Sequence, residues 1–234
     1  MTSEFGPAYI KINSAFKRDT SIPGNPVIQF EWSSPEFEYL QYTPWLWTEK
    51  IDGTNIRLFW DGHKVTLGGR TDNAQIPAKI TEAVRELGLL DTAIWEKKWP
   101  LVDEAHPERS NPSVTLYGEG YGAGIQKGGG NYGPTSFILF DVRVGTFWLS
   151  RENVQNVAEG FGIETVPGYA TMSPVLMWDH IQHGKLASSR FPNAQLEGVV
   201  GTPVVPLLSR NGNRVIMKMK QRDWDEYTRV HSVR

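Results

Sequence analysis

A lysine stands directly before a tight turn in the motif Lys-Ile-Asp-Gly at residues 50–53. An apolar run precedes this motif and another follows it, and Asp-Gly between two such runs predicts a hairpin with Lys50 at a strand end. A lysine in water is mostly protonated and a poor nucleophile, but desolvation and nearby cations can free the lone pair of such a group. Lys50 is therefore a candidate nucleophile, although a solvated lysine at a hairpin tip gives the same pattern.

Other charged side chains stand at strand ends or inside otherwise apolar strands: Arg70, Glu119, Glu197, Lys218 and Lys220. Because burying a charge is costly unless it is paired or meets a charged ligand, this set predicts a shared cleft. Lys218 and Lys220 are two positions apart, so a strand places both ammonium groups on one face, where a phosphate chain would relieve their repulsion. The alternatives are a surface carboxylate at Glu119, a solvated loop residue at Arg70 and the polar face of an edge strand for the two lysines.

A glycine-rich segment at residues 120–130 follows a predicted strand. It opens no clear helix and lacks the Gly-x-x-x-x-Gly-Lys-[Ser/Thr] spacing of a phosphate-binding loop. The segment predicts a mobile flap with Lys127 as a contact to phosphate or nucleic acid, and the alternative is a flexible exposed loop.

The composition narrows the classes of partner. With 24 basic and 26 acidic residues the formal net charge is -2, so nucleic acid must be bound through a local cationic groove. The absence of cysteine excludes disulfides, thiolate zinc sites and cysteine nucleophiles. Neither a signal peptide nor a membrane-spanning run is apparent, which predicts a cytoplasmic protein without a membrane partner. A monomer is expected.

Apolar spacing predicts an α+β fold with mixed, largely antiparallel sheets and flanking helices. Strands are predicted near residues 9–12, 14–19, 27–30, 45–47, 56–60, 64–68, 113–119, 136–144, 196–200 and 214–220. Helices are predicted over 78–90, from Asp91 to before Pro100, from Ser150 through Val157 and over 173–183, with a polar loop at 104–111. The simplest organisation is a single domain over residues 1–234, with 1–43 as an N-terminal segment packed on it.

Taken in order, the motifs resemble those of the covalent nucleotidyltransferase superfamily, which includes polynucleotide ligases and mRNA capping enzymes. The matching segments are 50–53 (Lys-Ile-Asp-Gly), 70–71 (Arg-Thr), 117–119 (Tyr-Gly-Glu), 140–142 (Phe-Asp-Val), 197–200 (Glu-Gly-Val-Val) and 218–220 (Lys-Met-Lys). Within that superfamily the chain is most similar to the RNA-ligase-2-like branch of ATP-dependent RNA ligases. This closer likeness rests on Asn55, on Gly-Glu-x-x-Gly-x-Gly-Ile-Gln-Lys-Gly at 118–128 and on Lys-Ile-x-x-x-Phe-x-Arg-Asp at 11–19.

The resemblance implies an ATP-grasp-like nucleotidyltransferase domain and a covalent lysyl-AMP intermediate on Lys50. It implies ATP as the substrate and Mg²⁺ or Mn²⁺ as the cofactor, with Glu197 engaging the metal or its waters. Lys218 and Lys220 would grip the α-phosphate and promote departure of pyrophosphate.

The nucleotide itself would be held by further positions. By resemblance, Glu49 lies beside the adenine mainly through its backbone, Arg70 and Glu119 hold the ribose, and Phe140 stacks on the base. The resemblance also implies that Asn55 and Arg57 face the adenylate or the incoming strand.

The implied partner is RNA, or an RNA-containing duplex, with a 5′-phosphate end and a 3′-hydroxyl end. Ligases and capping enzymes usually carry another domain after the Lys-x-Lys motif, whereas only residues 221–234 follow it here, so no C-terminal accessory domain is expected. A DNA ligase and a GTP-dependent capping-type nucleotidyltransferase are alternatives within the superfamily. A non-catalytic nucleic-acid-binding module is the alternative outside it.

Overall fold

The computed structural model describes residues 3–100, 113–186 and 190–231, so the predicted loop at 104–111 lies outside the described residues. The chain forms two compact units. Unit 1 comprises Met1–Tyr9 and Asp52–Val166, and unit 2 comprises Ile10–Ile51 and Pro167–Arg234. Each unit has its own apolar core.

The strands are β1 (Asn13–Ser14), β2 (Phe16–Arg18), β3 (Val27–Trp32), β4 (Trp45–Lys50), β5 (Thr54–Trp60), β6 (Val65–Gly69), β7 (Val114–Tyr121), β8 (Ser136–Val144), β9 (Phe147–Trp148), β10 (Gly168–Met172), β11 (Gly198–Pro203) and β12 (Met217–Lys220). The helices are α1 (Pro35–Tyr39), α2 (Ala78–Glu86), α3 (Thr92–Lys98), α4 (Arg151–Phe161), α5 (Pro174–Gln182) and α6 (Gln221–His231), with a 3₁₀ turn at Gly129–Tyr132. Helices and largely antiparallel sheets together confirm the predicted α+β class.

Unit 1 is built on an antiparallel sheet with the strand order β6-β5-β7-β8-β9. Alternate residues of β5 (Ile56, Leu58 and Trp60) are fully buried, as expected for a strand with one face on a core. Helices α2 and α4 both contact β8. Residues on these strands and helices form one apolar cluster, which makes β5, β7 and β8 a rigid support for any side chain at their ends.

The helices of unit 1 begin where the sequence predicts. Asp91 caps α3 by accepting from the Ala93 backbone, and Ser150 caps α4 by accepting from Asn153. After α2 the chain leaves the helix through Gly88, whose φ of 71° lies in the left-handed region that favours glycine.

Unit 2 contains a mixed sheet with the strand order β1-β12-β11-β4-β10, in which only β1 and β12 are parallel. Alternate residues of β4 and β12 face an apolar core, and the intervening residues are half-buried on the opposite face. Helix α5 supplies Met177, Trp178 and Ile181 to this core, and Trp224 of α6 packs against it. The half-buried face is the one that carries lysines.

Two sequence-based expectations, the β4–β5 hairpin and the strand at residues 9–12, are wrong, and so is the alternative that placed Lys218 and Lys220 on an edge strand. β4 and β5 do not form a hairpin, because β4 joins the sheet of unit 2 and β5 joins that of unit 1. In the segment that joins β4 to β5, Gly53 is needed for close packing, since a Cβ atom on it would come within 2.3 Å of the Gly120 carbonyl oxygen. β12 is not an edge strand, because it lies between β11 and β1. Residues 9–12 do not form a strand.

Within the described ranges, no helix combines the length and the apolar character that crossing a membrane requires.

Candidate active site

A single carboxylate binds two lysines in unit 2. Lys50 Nζ donates to Glu197 Oε2 at 2.6 Å, and Lys220 Nζ donates to Glu197 Oε1 at 2.5 Å. The side chains of Lys50, Glu197 and Lys220 are 22%, 17% and 13% exposed, so the cluster is largely desolvated yet still open to a ligand. We call these three residues the lysine–glutamate cluster.

Strand pairing brings the cluster together. β11 lies between β4 and β12, and Gly198 stands opposite Lys50 on one side and Lys220 on the other. Glu197 directly precedes β11, and its carbonyl oxygen accepts a hydrogen bond from the Gln221 amide at 3.1 Å. Backbone hydrogen bonds between neighbouring strands therefore fix the main-chain positions of the two lysines, and the Glu197 carboxylate holds their ammonium groups.

Lys218 lies on the same face of β12 as Lys220, as the two-residue spacing predicts. Both are half-buried, whereas Met217 and Met219 on the opposite face are buried in the core. Across the sheet Lys218 stands opposite Val200 and Ser14. The Lys-x-Lys motif therefore presents two cations on the face that carries Lys50.

Gly198 permits the close approach of the strands at this point. Its φ is 154°, and a Cβ atom there would come within 2.1 Å of the Met219 carbonyl oxygen. Because that neighbour is backbone, no side-chain movement could relieve the overlap. The close pairing of β11 with β12 therefore explains why the Glu-Gly-Val-Val motif has glycine at position 198.

Opposing effects act on the Glu197 carboxyl. Burial alone raises its pKa, but the charge of Lys50 and the hydrogen bonds from Lys220 and Lys50 outweigh burial, so the pKa of Glu197 lies below its ordinary value of 4.5. Glu197 is thus an anion near neutral pH and a weak proton acceptor.

The Glu197 carboxylate offers a divalent cation a ligand that does not belong to a preformed site of three or more such side chains in the described residues. Among residues 3–100, 113–186 and 190–231, no group of three or more His, Asp or Glu side chains could hold a metal ion. Mg²⁺ commonly keeps several waters and is bound by one or two carboxylates together with substrate phosphates, which this arrangement can supply. A metal there would share an oxygen that now accepts from a lysine.

Glu49 precedes Lys50 and points to the other face of β4. It is 2% exposed, and its backbone amide donates to the Pro167 carbonyl at 2.9 Å. The buried side chain agrees with the expectation that Glu49 acts mainly through its backbone, and its place beside adenine stays a prediction.

In unit 1, Asn55 and Glu119 stand opposite each other on β5 and β7. Both residues are half-buried. Within the described part of the chain, Asn55 Oδ1 is a buried acceptor without a hydrogen-bond donor. Such an atom is costly unless a ligand or water supplies a donor, which makes this strand pair a candidate binding surface.

Arg57 is fully buried in unit 1. Its guanidinium donates to the Gly6 carbonyl at 2.8 Å, binds Asp72, and lies 5.8 Å from the centre of the Phe5 ring. Asp72 also accepts from Ser3 at 2.9 Å. These contacts favour a structural role for Arg57, and its contact with the adenylate or the incoming strand stays a prediction.

Two of the predicted site residues are exposed. Arg70 directly follows β6, and Lys127 lies in the loop before the 3₁₀ turn. Sequence reasoning missed how this loop is anchored: Gln126 donates to the Gly53 carbonyl at 2.9 Å, and the Tyr132 hydroxyl accepts from the Asp52 amide at 3.3 Å. The glycine-rich segment is thus bound to the turn that follows Lys50, and its proposed mobility is untested.

Solved structures with a similar fold were identified by comparison. The chain is similar to Naegleria gruberi RNA ligase with pyrophosphate, at a TM-score of 0.60 and 17% identity, over 97% of this chain and 60% of that one. A lysine-to-methionine variant of that enzyme, with AMP and Mn, has a TM-score of 0.59 and 18% identity, over 86% of this chain and 55% of that one. An arginine-to-alanine variant, with ATP and Mn, has a TM-score of 0.60 and 17% identity, over 97% of this chain and 65% of that one.

These likenesses define the fold as that of an RNA ligase core. The chain spans about 60% of the length of the first of these structures. No curated protein matches the sequence. The RNA ligase family model matches residues 43–220, more than half of the chain, and the protein belongs to that family.

Proposed function

We propose that this protein is an ATP-dependent RNA ligase that forms a covalent lysyl-AMP intermediate on Lys50. The observation that carries the proposal is the lysine–glutamate cluster, in which the lysine of the Lys-x-Asp-Gly motif and a lysine of the Lys-x-Lys motif share one carboxylate. The family match over residues 43–220 includes every one of these motifs.

The first step is attack of the Lys50 amine on the α-phosphorus of ATP. Lys50 first loses a proton to water; a nitrogen–phosphorus bond then forms, the bond from the α-phosphorus to the oxygen that bridges to the β-phosphorus breaks, pyrophosphate leaves with the electron pair, and the nitrogen loses a further proton to water. In the structure Lys50 Nζ donates to Glu197, so a nucleophilic Lys50 has to leave this ion pair. Lys218 and Lys220 then neutralise charge on the transferring group, since phosphoryl transfer depends on positioning and electrostatics.

The following steps transfer AMP to an RNA 5′-phosphate and join that end to a 3′-hydroxyl with release of AMP. We propose Arg70 and Glu119 as ribose contacts and Phe140 as the platform for adenine. The free Asn55 Oδ1 acceptor opposite Glu119 supports a ligand donor at this strand pair. Exposed Lys127 is proposed to contact phosphate.

ATP is the proposed nucleotide and Mg²⁺ or Mn²⁺ the proposed cofactor, with Glu197 as the protein ligand. Similar structures contain ATP or AMP with Mn, which supports this choice. A divalent cation would supply further neutralisation of phosphate charge. The monomeric state, the cytoplasmic location and a single domain over residues 1–234 remain predictions.

Labelling with α-³²P-ATP and a divalent metal tests the proposal. We expect label on the wild-type polypeptide and none on Lys50→Ala. Lys185→Ala, which removes an exposed lysine of unit 2, is the matched control and keeps the label. If GTP labels the chain and ATP does not, a capping-type enzyme replaces this proposal; if neither labels it, a binding module does.

Substrate choice needs a second experiment. Nicked duplexes that carry RNA or DNA on the 3′-hydroxyl side would be compared for sealing by the wild-type protein. Faster sealing of the RNA-containing nick supports an RNA ligase, and equal or faster sealing of the DNA nick supports a DNA ligase.

A further inference from the structure

The N-terminal residues 3–9, here called the strap, are bound to unit 1 by specific hydrogen bonds. The Tyr117 hydroxyl donates to the Pro7 carbonyl at 2.8 Å, and Arg57 donates to the Gly6 carbonyl at 2.8 Å. Both donors belong to buried side chains of the central sheet. The strap is therefore an integral part of unit 1.

Tyr9 ends the strap within a cluster of aromatic rings. Its ring centre lies 5.0 Å from those of Phe140 and Tyr117, at interplanar angles of 68° and 53°. The Trp148 ring stands nearly perpendicular to it, at 5.7 Å and 89°. The Tyr9 hydroxyl donates to Asp141 Oδ2 at 2.9 Å, so both the plane and the tip of the Tyr9 ring are fixed.

Phe140, the ring that Tyr9 touches, occupies a β-bulge. The pairing of β7 with β8 passes from Asp141 opposite Tyr117 to Leu139 opposite Gly118 and skips Phe140. Phe140 is half-buried, whereas Leu139 and Asp141 are buried. A bulge redirects a side chain relative to regular alternation, and it also removes the ladder contacts that would fix that side chain.

We propose that Tyr9 is a positioning residue that holds Phe140 in the orientation in which it stacks on the adenine of ATP. The inference rests on the proposed function, because it assigns Phe140 to the base. An edge-to-face ring contact such as that of Tyr9 with Phe140, at 68°, is favourable and directional, so it supplies the restraint that the bulge removes. The hydrogen bond from Tyr9 to Asp141, the neighbour of Phe140, fixes the same point of β8.

Self-adenylation kinetics of the full chain test this inference. Tyr9→Leu is expected to raise the KM for ATP about fivefold, near the low end of the effect of losing one aromatic–base stack, and to change kcat by less than about twofold. Tyr9→Phe keeps the ring and is expected to retain a KM within about twofold of wild type. A general loss of structure would not separate KM from kcat in this way.

A double-mutant cycle then tests whether Tyr9 acts through Phe140. Phe140→Ala is expected to raise the KM for ATP, and adding Tyr9→Leu to it is expected to raise the KM no further. Phe147→Ala, which removes an exposed ring on β9, is the matched control and leaves the KM unchanged. If Tyr9→Leu melts below the assay temperature, Tyr9→Met replaces it, because its flexible side chain fills irregular gaps, and it is expected to give the same change.

The outcomes separate the two proposals. An unchanged KM in the Tyr9 variant, or additive effects in the double variant, overturns the role of Tyr9 alone. An unchanged KM in Phe140→Ala overturns both the role of Tyr9 and the assignment of Phe140 to adenine. Absence of self-adenylation in the wild-type protein overturns the proposed function itself.

Discussion

Glu197 binds two lysines at once because its two carboxylate oxygens face neighbouring strands. Each oxygen accepts one ammonium group, at 2.6 Å from Lys50 and 2.5 Å from Lys220. Without the carboxylate, two partly desolvated cations would face each other. We therefore regard Glu197 as the residue that makes the resting arrangement of the site stable.

Replacing Glu197 by Gln is expected to lower the free energy of unfolding by about 1–3 kcal/mol at pH 7, because both ion pairs lose their anion. The pKa of Glu197 is lower in the folded protein than its ordinary value of 4.5, so its contribution is complete above that pH and declines as the pH falls through the folded pKa. The difference between wild type and variant is thus expected to shrink below about pH 4.5. Denaturant unfolding at several pH values measures it.

Glu31→Gln is the control for that experiment. Glu31 and Lys17 form an exposed ion pair at 3.8 Å, and its loss is expected to cost less than about 0.5 kcal/mol. A stability difference for Glu197→Gln that stays constant from pH 7 to pH 3 would contradict the role given to its charge.

At the scale of elements, the approach of β11 to β12 decides where the lysines stand. Gly198→Ala would place a Cβ atom within 2.1 Å of the Met219 carbonyl oxygen, so the strands must separate. We expect a lower melting temperature and a loss of self-adenylation of at least tenfold, since small misplacements of reacting groups are costly. Thermal melting and the labelling assay measure the two effects.

Gly168 offers a matched glycine in the same sheet. It pairs with Thr48 on β4, and a Cβ atom there would meet no atom within 4 Å. Gly168→Ala is expected to fold and to label like the wild type. Equal behaviour of the two alanine variants would show that the space at Gly198 is not critical.

Elements with strong local signals are predictable from the sequence. β8 is a nine-residue strand with six apolar residues, and α4 combines a Ser150 cap with helical spacing, so both were located correctly. α1, β9, β10 and α6 were missed, and β9 is only two residues long. α1 is five residues long, β10 has no fully buried residue, and α6 is rich in charge, so their apolar signal is weak.

The candidate site was predictable only in part, because its contacts join residues that are far apart in the sequence. Motif spacing identified Lys50 and Glu197, but 147 positions separate them, and only the strand order brings them into contact. The bulge at Phe140 shifts the register by one residue, and the sequence pattern of β8 does not indicate this shift. The link from Tyr9 to Asp141 spans 132 positions and involves no motif residue in the strap.

At the scale of the whole molecule, net charge is the property that affects the proposed binding of RNA. With a net charge of -2, the protein has no overall attraction for a polyanion, so the proposed RNA binding would depend on a few local cations. We expect the logarithm of the RNA association constant to fall with the logarithm of salt concentration with a slope of about -2 to -4. Binding titrations at several salt concentrations measure this slope.

Lys127 provides a sharper form of that test. If it contacts a phosphate of single-stranded RNA, Lys127→Ala is expected to make the slope less steep by about 0.7. Lys64→Ala, which removes another exposed lysine of unit 1, is expected to leave the slope unchanged. An unchanged slope for both variants would exclude Lys127 from the RNA contact.

The alternation of β4 and β12 has a consequence for mutational tolerance. Trp47, Met217 and Met219 lie on one side of the sheet, and the lysines lie on the other. Main-chain pairing sets the spacing of the strands that carry the lysines. Substitutions that conserve side-chain volume in the apolar layer leave this pairing intact. We therefore expect that the apolar side of this sheet can change in sequence, or be redesigned, without altering the lysine–glutamate cluster on the opposite side.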